Sequence, residues 1–124
     1  MSTVFTPLTV GFSWVNSTTA SDGTALPTGE TQVSTTIGVR ADGDTTHSQG
    51  NYKWFVTNMG TATSISAADF LKMTKLAAGN YWAAIVQTDS LNGANATSSE
   101  SPEIAFSVPV TVVAPAAPTN FTVA

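Results

Sequence analysis

The stretch Leu76-Ala77-Ala78-Gly79-Asn80-Tyr81-Trp82-Ala83-Ala84-Ile85-Val86 decides the fold. Leu76 closes one element, Gly79 permits a tight reversal, and Tyr81 opens a central strand that runs to about Thr88. A tyrosine set just after such a corner buries its ring while its hydroxyl reaches back to upstream backbone, a device of two-layer β-sandwiches. Adjacent strand residues point to opposite faces, so Tyr81 goes to the core and Trp82 to the far side.

Working back from the corner, Ser66-Ala67-Ala68-Asp69 carries a helix start, with Ser66 as N-cap and an acid three residues on. Phe70, Met73 and Leu76 then keep a helical spacing, so a short helical turn is expected before the penultimate strand. Thr61–Ile65 is a short candidate strand in front of it. Asn51–Thr57 reads as a strand with Tyr52, Trp54 and Val56 opposite Phe55. Val33, Thr35, Ile37 and Val39 share one face of an alternating strand that ends in the turn Arg40–Asp44. Leu8, Val10, Phe12 and Trp14 share a face of another, with Trp14 as a large core anchor. Residues 2–6 are a candidate edge strand ended by Pro7. The long loop from Asn16 to Glu30 holds turn chemistry at Asp22-Gly23 and Pro27-Thr28-Gly29, and residues 42–50 form a polar loop.

Past the central strand, Asp89–Glu100 reads as a polar loop around Asn92-Gly93. Ile104–Val108 alternates again as the last core strand, with Pro102 ahead of it where a missing amide is tolerated. Five to seven short strands with turn signals between them give an all-β fold, an antiparallel β-sandwich over residues 1–108 with a short helical turn before its penultimate strand. Residues 109–124 form an extended C-terminal arm stiffened by prolines, and its alternations Val110/Val112 and Phe121/Val123 suit addition to another chain's sheet edge.

Composition narrows function by exclusion. The 124 residues are 42% hydrophobic and 10% charged, and about a quarter are Thr or Ser, which favours strands and turns over helices and differs from the highly charged make-up of disordered chains. Net charge is -4, with Arg40, Lys53, Lys72 and Lys75 as the only cations. Four scattered cations make neither the basic stripe that nucleic acid requires nor a patch for anionic lipid, so neither nucleic acid nor membrane is expected as a partner. Without cysteine, the core must hold without disulfides. Met1–Pro7 lacks the basic start and apolar run of an export signal, and no stretch approaches the ~20 apolar residues of a membrane span.

Chemistry-bearing motifs are sparse. His47, the only histidine, sits among turn residues and reads as a solvated loop side chain rather than a supported general base. Asp42 and Asp44 flank Gly43, but two carboxylates without a bidentate glutamate make a poor cage for a hard cation and read as a hairpin turn. No carboxylate pair is set for glycoside hydrolysis. The chain is expected to be no enzyme and to carry no cofactor or metal. The remaining candidates are interfaces. Trp54 and Trp82 are a candidate sugar- or partner-binding platform, against the plain alternative that neighbouring strands cover them. Val110, Val112, Phe121 and Val123 are the candidate contacts of the arm, against the alternative of a frayed terminus. Asn16, Asn95 and Asn120 match the glycosylation acceptor pattern, which arises by chance in a chain this rich in Asn and Thr.

With these residues placed, the chain resembles a fibronectin type III domain, an immunoglobulin-like sandwich, of the bacterial and bacteriophage type over roughly residues 6–108. The resemblance is carried by Phe12-Ser13-Trp14, by Asp22-Gly-Thr-Ala-Leu-Pro27 leading into Gly38-Val39-Arg40, and by Leu76-Ala-Ala-Gly-Asn-Tyr81 with Ala83, Ile85, Gly93, Ser101 and Phe106. The segment Ser66–Lys75 departs from the plain fifth strand of that family, and Ala117-Pro-Thr-Asn-Phe-Thr-Val123 is similar to the opening strand of a further such domain. The resemblance implies a non-catalytic structural protein located in the virion: a small bacteriophage capsid decoration, head-fibre or tail-accessory protein, bound to other virion structural proteins or to copies of itself. The alternative is a carbohydrate- or surface-binding adhesin-type module at the bacterial cell surface, with Trp54 or Trp82 stacked on surface glycans.

Overall fold

The computed structural model describes residues 2–110 and 114–123. Among them the elements follow as β1 (Thr6–Pro7), β2 (Gly11–Ser13), β3 (Thr31–Ala41), β4 (Trp54–Met59), β5 (Ser64–Ser66), α1 (Ala67–Thr74), β6 (Gly79–Leu91), β7 (Ala94–Thr97) and β8 (Ile104–Val108). One sheet has the order β1-β8-β6-β3-β4, with β7 paired to the far part of β6, and β2 and β5 form a separate pair. All pairings are antiparallel except β1 with β8, which is parallel at Thr6↔Phe106 and Pro7↔Ser107. The large sheet is therefore mixed rather than purely antiparallel. Pro7 has no amide to give, and Leu8 completes the contact by donating to the Ser107 carbonyl at 2.8 Å.

The longest strands, β3 and β6, lie at the centre of the large sheet. Their register sets Ile37 against Ile85, Val39 against Ala83 and Ala41 against Tyr81. The same face continues through Trp54 and Val56 on β4 and through Phe106 and Val108 on β8. Phe12 of β2, Ile65 of β5, and Ala67 and Phe70 of α1 pack on this face, and Leu8 and Leu76 complete the core. Phe70 is 0% exposed. Its ring meets Phe12 edge-on at 4.9 Å and Phe106 at 5.9 Å, and Phe12 meets Phe106 at 5.1 Å, an arrangement that aligns ring edges with ring faces.

The helix starts where its sequence directs. Ser66 is extended and accepts a hydrogen bond from the Asp69 amide at 3.1 Å, with Asp69 itself at the positive end of the helix. Lys75 ends α1 in the left-handed conformation, φ 55°, with its amide on the Leu71 carbonyl. The inward stripe is Ala67, Phe70 and Thr74. Met73, assigned to the buried spacing, is exposed instead, because Thr74, four residues after Phe70, takes the inward position and returns its hydroxyl to the Phe70 carbonyl at 2.9 Å.

The corner forms where the sequence sets it, but the strand opens two residues earlier than Tyr81, at Gly79, and runs past Thr88 to Leu91. The Tyr81 ring is buried, stacks on Phe106 at 5.6 Å and meets Trp54 edge-on at 5.8 Å, while its hydroxyl donates to the Ala77 carbonyl at 2.6 Å. Burial raises the pKa of this phenol. Tyr81→Phe should cost about 0.5–1.5 kcal/mol, the net worth of one such hydrogen bond, read as a lower urea midpoint at constant slope; an unchanged midpoint would remove the bond from the account of the corner.

Three strand readings are corrected. Val10 does not share the face of Leu8 and Phe12: it is 87% exposed, since Gly11 at φ 147° breaks the alternation and β2 begins only there. Tyr52 does not share the face of Trp54 and Val56. A bend at Lys53 lays the Tyr52 ring over Gly38 on the opposite face, where a β-carbon on Gly38 would come within 2.3 Å of it. Asn92-Gly93 is the two-residue turn of a hairpin rather than the middle of a loop. Both residues have positive φ (51° and 83°), so β6 and β7 pair through Leu91↔Ala94.

Candidate interaction surfaces

The two candidate tryptophans are not brought together. Trp54 pairs with Val39 on the core face, and Trp82 pairs with Arg40 on the opposite one. Trp54 is half-buried at the sheet edge against Tyr81, with the Lys53 ammonium 4.7 Å from its ring centre. Trp82 is half-buried too: Phe5 meets it edge-on at 5.5 Å, the Arg40 guanidinium lies 5.4 Å from its ring centre, and its indole N–H donates to Asp42 at 3.0 Å. Neighbouring segments engage each ring, and no single face offers both.

Arg40 also holds Glu103 through two hydrogen bonds, Nε to Oε2 at 2.8 Å and the second guanidinium nitrogen to Oε1 at 2.9 Å. Such a fork-to-fork pair is the strong form of this interaction. The hydrogen bond from Arg40 lowers the Glu103 pKa against the opposing effect of burial, and the same bond raises that of Arg40. A carboxyl lowered in the folded state contributes stability that is complete above its unfolded value, near 4.5, and lost as pH falls through the folded value. Glu103→Gln should therefore flatten the acid limb of a melting-temperature profile below that value; an unaltered acid limb would assign the loss to other carboxylates. Next to the pair, burial above all pushes the Tyr52 phenol well up, with Glu100 and Glu103 adding to it.

The loop candidates have local duties. Asp44 accepts the Thr46 amide and hydroxyl, both at 2.8 Å, and faces His47 Nδ1 at 2.7 Å. The Thr46 amide first, then the His47 and Thr46 side chains, hold the Asp44 carboxyl below the usual range. Asp42 turns away to Trp82. Among the described residues no group of three or more His, Cys, Asp or Glu is gathered as for a metal ion. Asn16 accepts the Trp14 indole N–H at 3.0 Å and donates to the Thr61 carbonyl at 3.1 Å, so its amide closes the end of the β2–β5 pair. Glu30 and Asp89 meet at the ends of β3 and β6, where the Asp89 carboxylate, accepting a hydrogen bond from the protonated Glu30 carboxyl, raises the Glu30 pKa. That pairing is set by the register Thr31↔Ser90 and had no sequence signature.

On the arm, Val110 is exposed, Phe121 is 97% exposed and Val123 100%. Val112 lies outside the described residues. A further surface was missed in the sequence: an apolar groove of about 370 Å³ between β2 and the segment leading into β8, lined by Phe12, Trp14, Ala83, Ile85, Pro102 and Ile104. The inward alternation of Ala83 and Ile85 was its only sequence trace.

No helix among the described residues is long and apolar enough to cross a membrane. Comparison of the chain with protein-family models, with curated proteins and with solved structures finds no match.

Proposed function

We propose that the chain is an immunoglobulin-like, fibronectin type III-like sandwich that serves as a non-catalytic structural protein, a small bacteriophage virion component of the decoration, head-fibre or tail-accessory kind. The fold reading is supported by the sheet order β1-β8-β6-β3-β4 opposed by the β2–β5 pair, and by the Tyr81 hydroxyl on the Ala77 carbonyl. The virion setting is supported by the resemblance of residues 6–108. The observation that carries the functional reading is the arm: Phe121 and Val123 are held almost wholly in solvent on a segment whose described residues add nothing to the core, where the buried residues run from Leu8 to Val108. Exposed apolar side chains on an extended, proline-stiffened segment are suited to completing a neighbour's sheet.

The body should survive removal of this segment. A chain cut after Val108 keeps every core residue among those described, and is expected to melt as the full chain does while losing co-sedimentation with capsid or tail subunits. Undiminished association of the cut chain with those subunits would sink the proposal.

A further inference from the structure

The groove and the arm complement one another. Among the described residues β2 is bonded along one side only. The Trp14 amide donates to the Thr63 carbonyl and the Val10 carbonyl accepts from the Ala67 amide, each at 2.9 Å, so the even-numbered residues of this segment face β5. In an antiparallel pair successive residues turn their backbone groups to opposite sides, which directs those of Gly11, Ser13 and Val15 to the free edge. Ser13 and Val15 are exposed there.

Beside that edge runs the groove. Its floor is Ala83 and Ile85, one wall is Pro102 and Ile104, and the other is Phe12 and Trp14. Ile104 belongs to the core face of β8 yet is 54% exposed, because none of the described residues covers the sheet at that point. The groove's 370 Å³ falls within the ~300–1,000 Å³ of sites that hold a ligand. No charged side chain lines it, and residues 109–123 carry no charge either. Extended, the arm puts Phe121 and Val123 on one side and Thr122 on the other. The three residues Phe121–Val123 match the three of β2 in length.

The arm is badly placed for its own groove. β8 starts at Ile104 beside the groove and ends at Val108, about 13 Å further on at ~3.3 Å per residue. The chain would have to reverse past Val108, and Pro109, Pro115 and Pro118 favour an extended path. We infer that the groove receives Phe121–Val123 of a second copy of this chain, added as a strand along the free edge of β2 with Phe121 and Val123 packed on Ala83, Ile85 and Ile104. The inference rests on the reading of residues 109–124 as an interaction arm. Each copy both offers an arm and presents a groove, so association runs head to tail, growing into rings or open chains, unless two copies exchange arms reciprocally.

The test uses full-length chains and sedimentation across a concentration series. Wild type should associate as concentration rises. Phe121→Asp spoils the arm, and Ile104→Asp spoils the groove at a side chain that tolerates polarity; each should stay monomeric with a near-ultraviolet spectrum like that of wild type. Ser13→Pro, which removes a free-edge amide without touching the bonds to β5, should match Ile104→Asp. An equimolar mixture of Phe121→Asp and Ile104→Asp should give a heterodimer that grows no further, since one arm and one groove remain. Wild type monomeric throughout, or a mixture that stays monomeric, overturns the inference. Association that is lost in Phe121→Asp but kept in both groove variants also overturns it, while leaving the arm reading intact. Association kept in Phe121→Asp counts against both.

Discussion

Phe70→Ala should remove about 3–5 kcal/mol of stability, the cost of deleting a fully buried aromatic ring. A domain of this size holds only ~5–15 kcal/mol in all, so the variant is expected to be partly unfolded at moderate temperature. The ring sits between the two layers, meeting Phe12 from β2 and Phe106 from β8. Its loss would therefore open a cavity that neither layer can close alone, because Phe12 is tied to β5 and Phe106 to β6 by backbone pairing. Urea unfolding would show a lower midpoint at unchanged slope. A loss under ~1 kcal/mol would mean that the layers collapse onto one another freely and that the three-ring contact is not the centre of the core.

Gly11→Ala is expected to be comparably damaging for a different reason. A β-carbon at Gly11 would stand 2.1 Å from the Ile65 carbonyl oxygen, 2.9 Å from Ser66 Cα and 3.1 Å from the Ala67 nitrogen, all of them backbone atoms. Gly11 also adopts φ 147°, which an L-residue rarely does. Strain and overpacking together give a penalty on the order of 2–6 kcal/mol. Relief requires β2 to separate from β5, so amide exchange at Phe12, Trp14 and Ala67 should rise well above that at β3. Equal protection in both places, or stability within about 0.5 kcal/mol of wild type, would contradict the close approach.

The elements that could be read from the sequence are those whose signal is local. Ser66 with Asp69 states a helix start, Gly79-Asn80-Tyr81 a corner, and Ile104–Val108 a strand by alternation; each formed within a residue or two. Readings failed where one residue resets the count. Gly11 turned Val10 outward, and the bend at Lys53 carried Tyr52 across the sheet. Asn92-Gly93 was the strongest turn signal in its segment, but the flanks Asp89–Leu91 and Ala94–Thr97 are polar or small and lack the apolar alternation that marks strands. The candidate surfaces were legible only as residue types. That Trp54 and Trp82 face opposite ways follows from register across β3, which is a property of pairing rather than of spacing. The groove was illegible because it is a space between β2 and the segment before β8, some ninety positions apart in the chain.

The two borders of the large sheet are unequally guarded. On one side the margin is short: β1 is two residues long and ends in Pro7, and β7 is four residues of small and polar side chains. On the other side β4 presents Trp54–Met59, with neither proline nor charge within it and with Phe55 and Met59 turned to solvent. Lys53, just before it in the chain, is a charge of the kind that discourages stacking of such edges. β4 is thus the longest unguarded margin of the large sheet, and unwanted cross-β growth from that sheet would begin along it.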